Sequence, residues 1–375
     1  MSNPISDFFS SIFSSNKSVS VLGVDIGPSS IKVVQMKKKS GRAVLETYGE
    51  LSLGPYAGVE VGRSTNLPAE KLAQAVTDIL RESNVTTNKC GLSIAVGSSF
   101  VSFIKLPNVN EQQLRTMIPL EARKYIPAPI SEVTLDYSIL PKNENRVSEF
   151  EDGQQSNQVE NTIDVMLVVI LNEALTRNRD IARLAKLDSA FSEIEIFSSL
   201  RAVIEPGTAP QMVIDFGSGT TKIYIVERGI LRSSHSIGRG SQDITLAISK
   251  SLSISVEQAE KLKREYGLLA KDENKNVSEI TALTLDYIFS EIGRSVLDYQ
   301  KKSGKKINKV FLTGGGVLLK GLKEKAESSF SVAVELADPF AKTEYPAFLE
   351  NVLKTAGPTF AVSIGLALRR LQELG

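Results

Sequence analysis

The chain has 375 residues, and its 44 basic and 43 acidic side chains leave a net charge of +1, which excludes a global electrostatic pull toward nucleic acid or anionic lipid. One cysteine, Cys90, and one histidine, His235, exclude a disulfide framework, a cysteine-rich zinc site and most histidine-built catalytic centres. No stretch approaches the roughly 20 apolar residues that span a bilayer, and the N-terminus lacks the basic start and long apolar centre of a signal peptide, so a reducing cytoplasm is expected.

Residues 1–18, MSNPISDFFSSIFSSNKS, are serine-rich, with Phe8, Phe9, Ile12 and Phe13 at helical spacing. They read as a frayed tail or a short interfacial helix. Residues 21–36, VLGVDIGPSSIKVVQM, place Asp25, Gly27 and a small-residue turn between two apolar runs, with Lys32 heading the second. The alternation predicts two antiparallel strands and a tight turn. Taken alone this is an ordinary hairpin, yet a carboxylate closing a buried strand is costly unless it meets a partner such as hydrated magnesium. Cys90 heads the strand-rich CGLSIAVGSSFVSFIKL with no base nearby in sequence, and is expected to be inert.

From about 106 to 190 the pattern changes to a small helix-and-sheet unit. NEQQLRTMIPLEARKYI, 110–126, predicts a helix capped by Asn110 and kinked or divided at Pro119. Strands are expected at VTLDYSIL and TIDVMLVVIL, around the polar residues 141–161, which read as a solvated, mobile hairpin loop. NEALTRNRDIARLAKL then predicts a helix.

At 212–229 the first hairpin's order returns: MVIDFGSGTTKIYIVERG carries Asp215, Gly217 and Lys222 between apolar runs, with Asp215 lying 190 residues beyond Asp25. Repetition over about half the chain points to two similar lobes. Two such hairpins, converging, wrap a polyphosphate with backbone N–H groups while their aspartates hold a hydrated divalent cation. His235 has no carboxylate or second ligand nearby in sequence and reads as a polar strand residue. The stretch from GSQDITLAISK to SEIGRSVLDYQKKSGKK is mostly amphipathic helix, and KKSGKK, 301–306, reads as a solvated turn. KVFLTGGGVLLKGLKEKAE, 309–327, is an apolar strand, three glycines (Gly314, Gly315, Gly316) and a helix start; bare backbone there suits an adenine ring, and the helix N-terminus favours anions.

VDIGPSSIK, IDFGSGTTK and FLTGGGVLLKGL resemble, in order, the phosphate 1, phosphate 2 and adenosine motifs of the actin-like ATPases. IEIFSSLRAVIE (194–205) and GPTFAVSIGLALRRL (357–371) resemble the two connecting helices. Within that superfamily, residues 104–140, with LP, EARKYIP and LDYSIL, are similar to the inserted subdomain of the PilM family of type IV pilus assembly. The cell-division protein FtsA is the natural rival, but a C-terminal amphipathic membrane helix is expected of it and the chain stops at LQELG. A small-molecule kinase of the same fold needs a second substrate pocket, for which no sugar motif is present.

The resemblance implies an α/β, duplicated ribonuclease H-like two-lobe fold, with a small α+β subdomain inserted in lobe one and a helical insertion in lobe two. It divides the chain into a tail (1–18), lobe one (19–105 and 191–209), its insert (106–190), lobe two (210–245 and 306–375) and the second insertion (246–305). ATP and magnesium are implied. Asp25 and Asp215 match the residues that hold magnesium through water. Gly27, Ser29, Ser30 and Lys32, with Gly217, Ser218, Gly219, Thr220, Thr221 and Lys222, match the phosphate hairpins. Glu260 and Lys263 match the ribose and base positions, Gly314 to Gly316 the adenosine turn, and Glu195 the residue that orients the attacking water. Pro28 departs from the pattern, since it has no N–H for the terminal phosphate, so ATP is expected to be held and turned over slowly at best. The family also implies a partner: the cytoplasmic N-terminal peptide of the inner-membrane protein PilN, docked near Pro107, Leu120, Glu121, Tyr125, Ile126 and Pro127. Nucleic acid is not expected, self-association is left open, and any membrane contact is indirect or through the tail.

Overall fold

The near-continuous apolar run of the first strand is the signature of a strand buried on both faces, and the computed structural model, which describes residues 19–126, 128–141 and 162–374, shows what covers them. The expectations for the tail, for Pro127 and for nearly all of the 141–161 loop lie outside those residues. Strand β1, Ser20–Ile26, sits at the centre of a sheet of order β3-β2-β1-β4-β8, with β2 Ser30–Lys39, β3 Arg42–Ser52, β4 Lys89–Ile94 and β8 Asp188–Ile194. Leu22 and Val24 face the helices α1, Ala69–Glu82, and α3, Asn172–Leu184, through Val76, Ile79 and Ile181. Val21 faces the other way, into the cluster that holds Ile364 and Ala367 of the last helix.

The second sheet repeats that plan. Its order is β11-β10-β9-β12-β13, from β9 Gln211–Phe216, β10 Thr221–Glu227, β11 Ile230–Ile237, β12 Lys309–Thr313 and β13 Ala333–Leu336. In both sheets a three-strand antiparallel meander is extended by two parallel strands. The repeat read from two Asp-x-Gly segments is therefore a repeat of whole sheets. Helices α5 Ser241–Leu252, α6 Val256–Tyr266 and α7 Lys275–Ser303 pack on the second sheet through Ile244, Ala259, Leu285 and Ile292.

A third sheet, β5-β7-β6, joins β5 Ser99–Pro107, β7 Thr162–Leu171 and β6 Val133–Ile139. It is covered by α2, Glu111–Ala122, through Leu114 and Ile118. Asn110 caps α2 as expected: its side chain accepts the Gln113 N–H at 2.9 Å, and Gln113 reciprocates at 3.3 Å. The helix runs through Pro119 undivided and ends at Ala122, four residues short of the reading.

Two helices link the sheets: α4, Glu195–Val203, and α10, Ala361–Glu373, the latter preceded by α8 Leu322–Phe330 and α9 Glu350–Ala356. They cross where side chains are absent: a Cβ on Gly365 would lie 1.9 Å from the Ser198 carbonyl oxygen, and one on Gly23 of β1 would lie 1.9 Å from that of Ser363.

Candidate functional site

The two hairpins have the same architecture down to the hydrogen bond. Asp25 stands opposite Lys32 across β1 and β2, and Asp215 opposite Lys222 across β9 and β10. Each turn is closed by its glycine N–H, Gly27 to the Ser30 carbonyl at 3.1 Å and Gly217 to the Thr220 carbonyl at 3.0 Å. Both tips face one cleft of about 580 Å³, within the range of small-molecule sites.

The triple glycine forms a third wall. Thr313 pairs with Asp215 in parallel register, and the Pro358 carbonyl accepts from the Thr313 hydroxyl at 2.7 Å and the Gly314 N–H at 2.8 Å. A Cβ on Gly314 would lie 2.4 Å from Asp215 Oδ1, and one on Gly316 2.6 Å from the Phe216 ring. Packing thus demands those two glycines. A Cβ on Gly315 would meet nothing within 4 Å, so its bare backbone is open to the cleft.

Charge at the floor is arranged asymmetrically. Lys222 donates to Glu195 Oε2 at 2.7 Å and Asp215 Oδ2 at 3.2 Å, with only 11% of its side chain exposed. Burial works against its charge, but Asp215 and Glu195 outweigh it and hold the ammonium well above the usual lysine range. Glu195, in the first turn of α4, also accepts the Val96 N–H at 2.7 Å on its other oxygen. In lobe one, Lys32 turns to Ser30 Oγ at 2.7 Å and Glu50 at 3.3 Å. Asp25 is left with Ser93, and burial pushes its carboxyl up to about 6 against the pull of Lys32.

Of the residues expected from sequence, Asp25, Gly27, Ser29, Ser30, Lys32, Glu195, Asp215, Gly217, Ser218, Lys222, Glu260, Lys263 and Gly314 to Gly316 line the cleft, as does Pro28. Gly219, Thr220 and Thr221 lie outside that lining: Gly219 packs against Ser64, Thr220 closes the turn through its carbonyl, and the Thr221 hydroxyl donates to the Arg239 carbonyl at 2.8 Å. Lys263 is held inward, its ammonium donating to Ser241 O at 3.2 Å, Thr245 Oγ1 at 2.8 Å and Glu260 Oε2 at 2.7 Å. It braces Glu260, whose carboxylate stays below the usual range because Lys263, Thr245 and Arg264 outweigh its burial.

The sequence reading missed the segment that crosses the mouth of the cleft. The Thr65 N–H donates to the Pro28 carbonyl at 2.8 Å, the Ser64 N–H to Gln242 Oε1 at 3.0 Å, and the Ser64 and Ser218 hydroxyls lie 3.0 Å apart. Val61, Gly62 and Arg264 line the cleft beside Glu260. No motif marks these residues, because Ser64 meets Gln242 and Ser218 only once the two halves are brought together, and Thr65 meets Pro28 only once lobe one has folded.

Among the positions implied for a partner, Leu120 is 58% and Tyr125 44% exposed. Pro107 is exposed, and Glu121 pairs with Lys124 at 2.8 Å. Ile126 is buried, in the cluster that holds Leu114 and Ile118 of α2. Cys90 is buried, which pushes its thiol up to about 12, and His235 is an exposed residue of β11. The 301–306 run is more than a solvated turn, since Lys305 reaches the buried Glu227 at 2.9 Å.

Two sheets of matching order around a cleft walled by paired Asp-x-Gly hairpins and a glycine turn define an actin-like fold. The structure of MreB5 of Spiroplasma citri bound to AMPPNP superposes with a TM-score of 0.51 over 95% of this chain and 97% of that one, at 14% identity. The family described as type IV pilus assembly protein PilM matches residues 23–371, and the chain belongs to it. The structure of a PilM-PilN type IV pilus biogenesis complex is similar at TM-score 0.76 and 25% identity, covering 94% of this chain and 99% of that one. The cell division protein FtsA of Neisseria meningitidis serogroup B is 30% identical over 175 residues, which span 41% of this chain and 41% of that protein. FtsA of Agrobacterium fabrum is 27% identical over 178 residues, spanning 41% of this chain and 39% of that protein. Among the described residues no helix is long and apolar enough to cross a membrane.

Proposed function

We propose that the cleft binds ATP with magnesium, and that the chain is the nucleotide-holding component of a type IV pilus assembly platform. In this reading it is peripheral at the inner face of the cell membrane and recruits the N-terminal peptide of a PilN-type inner-membrane protein. The carrying observation is the pair of Asp/Lys hairpins in the same register, both facing a cleft whose third wall offers the open backbone of Gly315. The division into two lobe cores, an insert at 106–190 and a helical insertion at 246–305 belongs to the same proposal.

The residues fit the nucleotide. The backbone of Ser29 and Ser218, tip residues that line the cleft, suits the phosphates, and Glu260, braced by Lys263, suits a ribose hydroxyl. Among the described residues no three His, Cys, Asp or Glu side chains are grouped to ligate a metal directly, so a cation here is one held through its water shell. Asp25 suits it, because a carboxyl that burial pushes up to about 6 gains most from a nearby positive charge. Magnesium would supply charge to the phosphates. Both oxygens of Glu195 already accept hydrogen bonds and Pro28 offers no N–H, which supports a site that holds ATP and hydrolyses it slowly at best.

For the partner, Leu120 and Tyr125 give the insert exposed apolar anchors beside the Glu121 carboxylate, a mixture suited to a short extended peptide. Calorimetry with ATP and magnesium tests the first part. Wild-type protein should bind and Asp25→Ala should weaken binding about tenfold or more, whereas no wild-type affinity at millimolar ATP would sink the reading. For the second part, a PilN-like peptide should protect residues 104–140 from hydrogen exchange, and Tyr125→Ala should abolish capture while sparing ATP. Protection confined to lobe two would move the docking site.

A further inference from the structure

The two hairpins match in sequence order and strand register but differ in where their lysines go. Lys32 leaves its own aspartate for Ser30 and Glu50. Lys222 stays, bridging Asp215 on its own sheet and Glu195 on the connecting helix α4. Lobe one therefore offers the cleft an aspartate without an ion pair among the described residues, and lobe two offers one already neutralised. Lys222 itself lines the cleft, and its side chain is nearly buried, so solvent screens its charge little. An ammonium carries three donors. Two of them serve the carboxylates, which leaves one without a protein acceptor among the described residues of the cleft.

Without that ammonium, Asp215 and Glu195 would confront a polyphosphate with two more negative charges, and more of the compensation would fall to a divalent cation. With it, half of that task is built into the chain. We infer that Lys222 is a resident counter-cation of the cleft, offsetting one of the two charges of Asp215 and Glu195 from the lobe-two side and offering its remaining donor to the phosphates, so that nucleotide binding keeps most of its strength when magnesium is withheld. The assignment rests on the ATP reading and deepens it.

The test is calorimetric binding of ATP in excess magnesium chloride and again in EDTA. Wild-type affinity should fall by no more than about tenfold in EDTA, because the charge-assisted contact from Lys222 persists. Lys222→Met alone strands two buried carboxylates and risks the fold, so the informative variant is Lys222→Met with Glu195→Gln, its folding checked by circular dichroism. That variant keeps the wild-type local charge of one negative unit and lacks only the ammonium's contact, so it should bind in magnesium and lose about a hundredfold or more in EDTA, while Lys222→Arg should keep the wild-type ratio. Wild-type binding that vanishes in EDTA, or a double variant with the wild-type ratio, overturns the assignment while leaving the ATP reading intact. No ATP binding in either buffer overturns both.

Discussion

Gly315 and Gly314 are neighbours with opposite reasons for being glycine. Gly314 has φ 91° and no room for a Cβ beside Asp215, whereas Gly315 is exposed with nothing within 4 Å of where its Cβ would sit. Gly314→Ala should therefore cost roughly 1–3 kcal/mol of stability from the left-handed backbone alone. Gly315→Val should leave the melting temperature near wild type and weaken ATP binding about tenfold, since the added side chain takes the space of a ligand rather than of protein. A thermal melt paired with calorimetry separates them, and a destabilised Gly315→Val with unchanged ATP affinity would remove the adenosine-turn reading. The sequence showed that three glycines stand at a strand-to-helix turn but could not apportion them, because what crowds Gly314 and Gly316 comes from Asp215 and Phe216, about 100 residues earlier in the chain.

Strands and helices were more legible than the contacts between them. Alternation and turn residues located both hairpins, the strands of the insert and the capped start of α2, because local pattern carries those signals. The crossing of α4 and α10 left no such trace. It is fastened by Glu193 at the end of β8, which is buried and accepts from Arg201 at 2.7 and 2.8 Å, from Ser198, and from Arg369 Nη1 at 2.8 Å, 176 residues away. A lone glutamate in a strand has no periodic signature, so sequence reasoning passed over it. Burial opposes its charge, but Arg201, Ser198 and Arg369 hold the carboxyl below the usual range. Its contribution is therefore complete above the unfolded-state value and is lost as pH falls through the lower folded-state value. Glu193→Gln should cost about 3 kcal/mol at neutral pH by stranding partly buried arginines, and the gap to wild type should close in acid. Denaturant melts across pH measure this, and a gap that is constant from neutral to acid would deny the ion pair its role.

At the scale of the whole molecule, the two halves are tied on opposite sides by bonds of different kinds. Away from the cleft, the segment after β13 adds to the edge of β3: the Leu45 N–H donates to the Glu344 carbonyl at 2.9 Å, the Glu344 N–H donates to that of Ala43 at 2.8 Å, and Arg42 pairs with Glu344 at 2.6 Å. Across the cleft mouth, the tie between the halves runs through side chains, with Ser64 meeting Gln242 and Ser218, while Thr65 holds the Pro28 carbonyl within lobe one. A backbone ladder resists opening, whereas side-chain bonds at a half-exposed loop reopen with a small local free energy. The mouth is thus the side expected to open more readily. Replacing Gln242 by Ala removes the acceptor for the Ser64 N–H without touching either hairpin backbone. It should speed exchange of the Ser64 amide by about tenfold, the worth of one hydrogen bond, and hasten release of bound ATP, while Leu45 and Glu344 exchange as in wild type. Equal acceleration at all three amides would mean that Gln242 supports the fold as a whole, and unchanged exchange at Ser64 would mean that the strap is held by something other than Gln242.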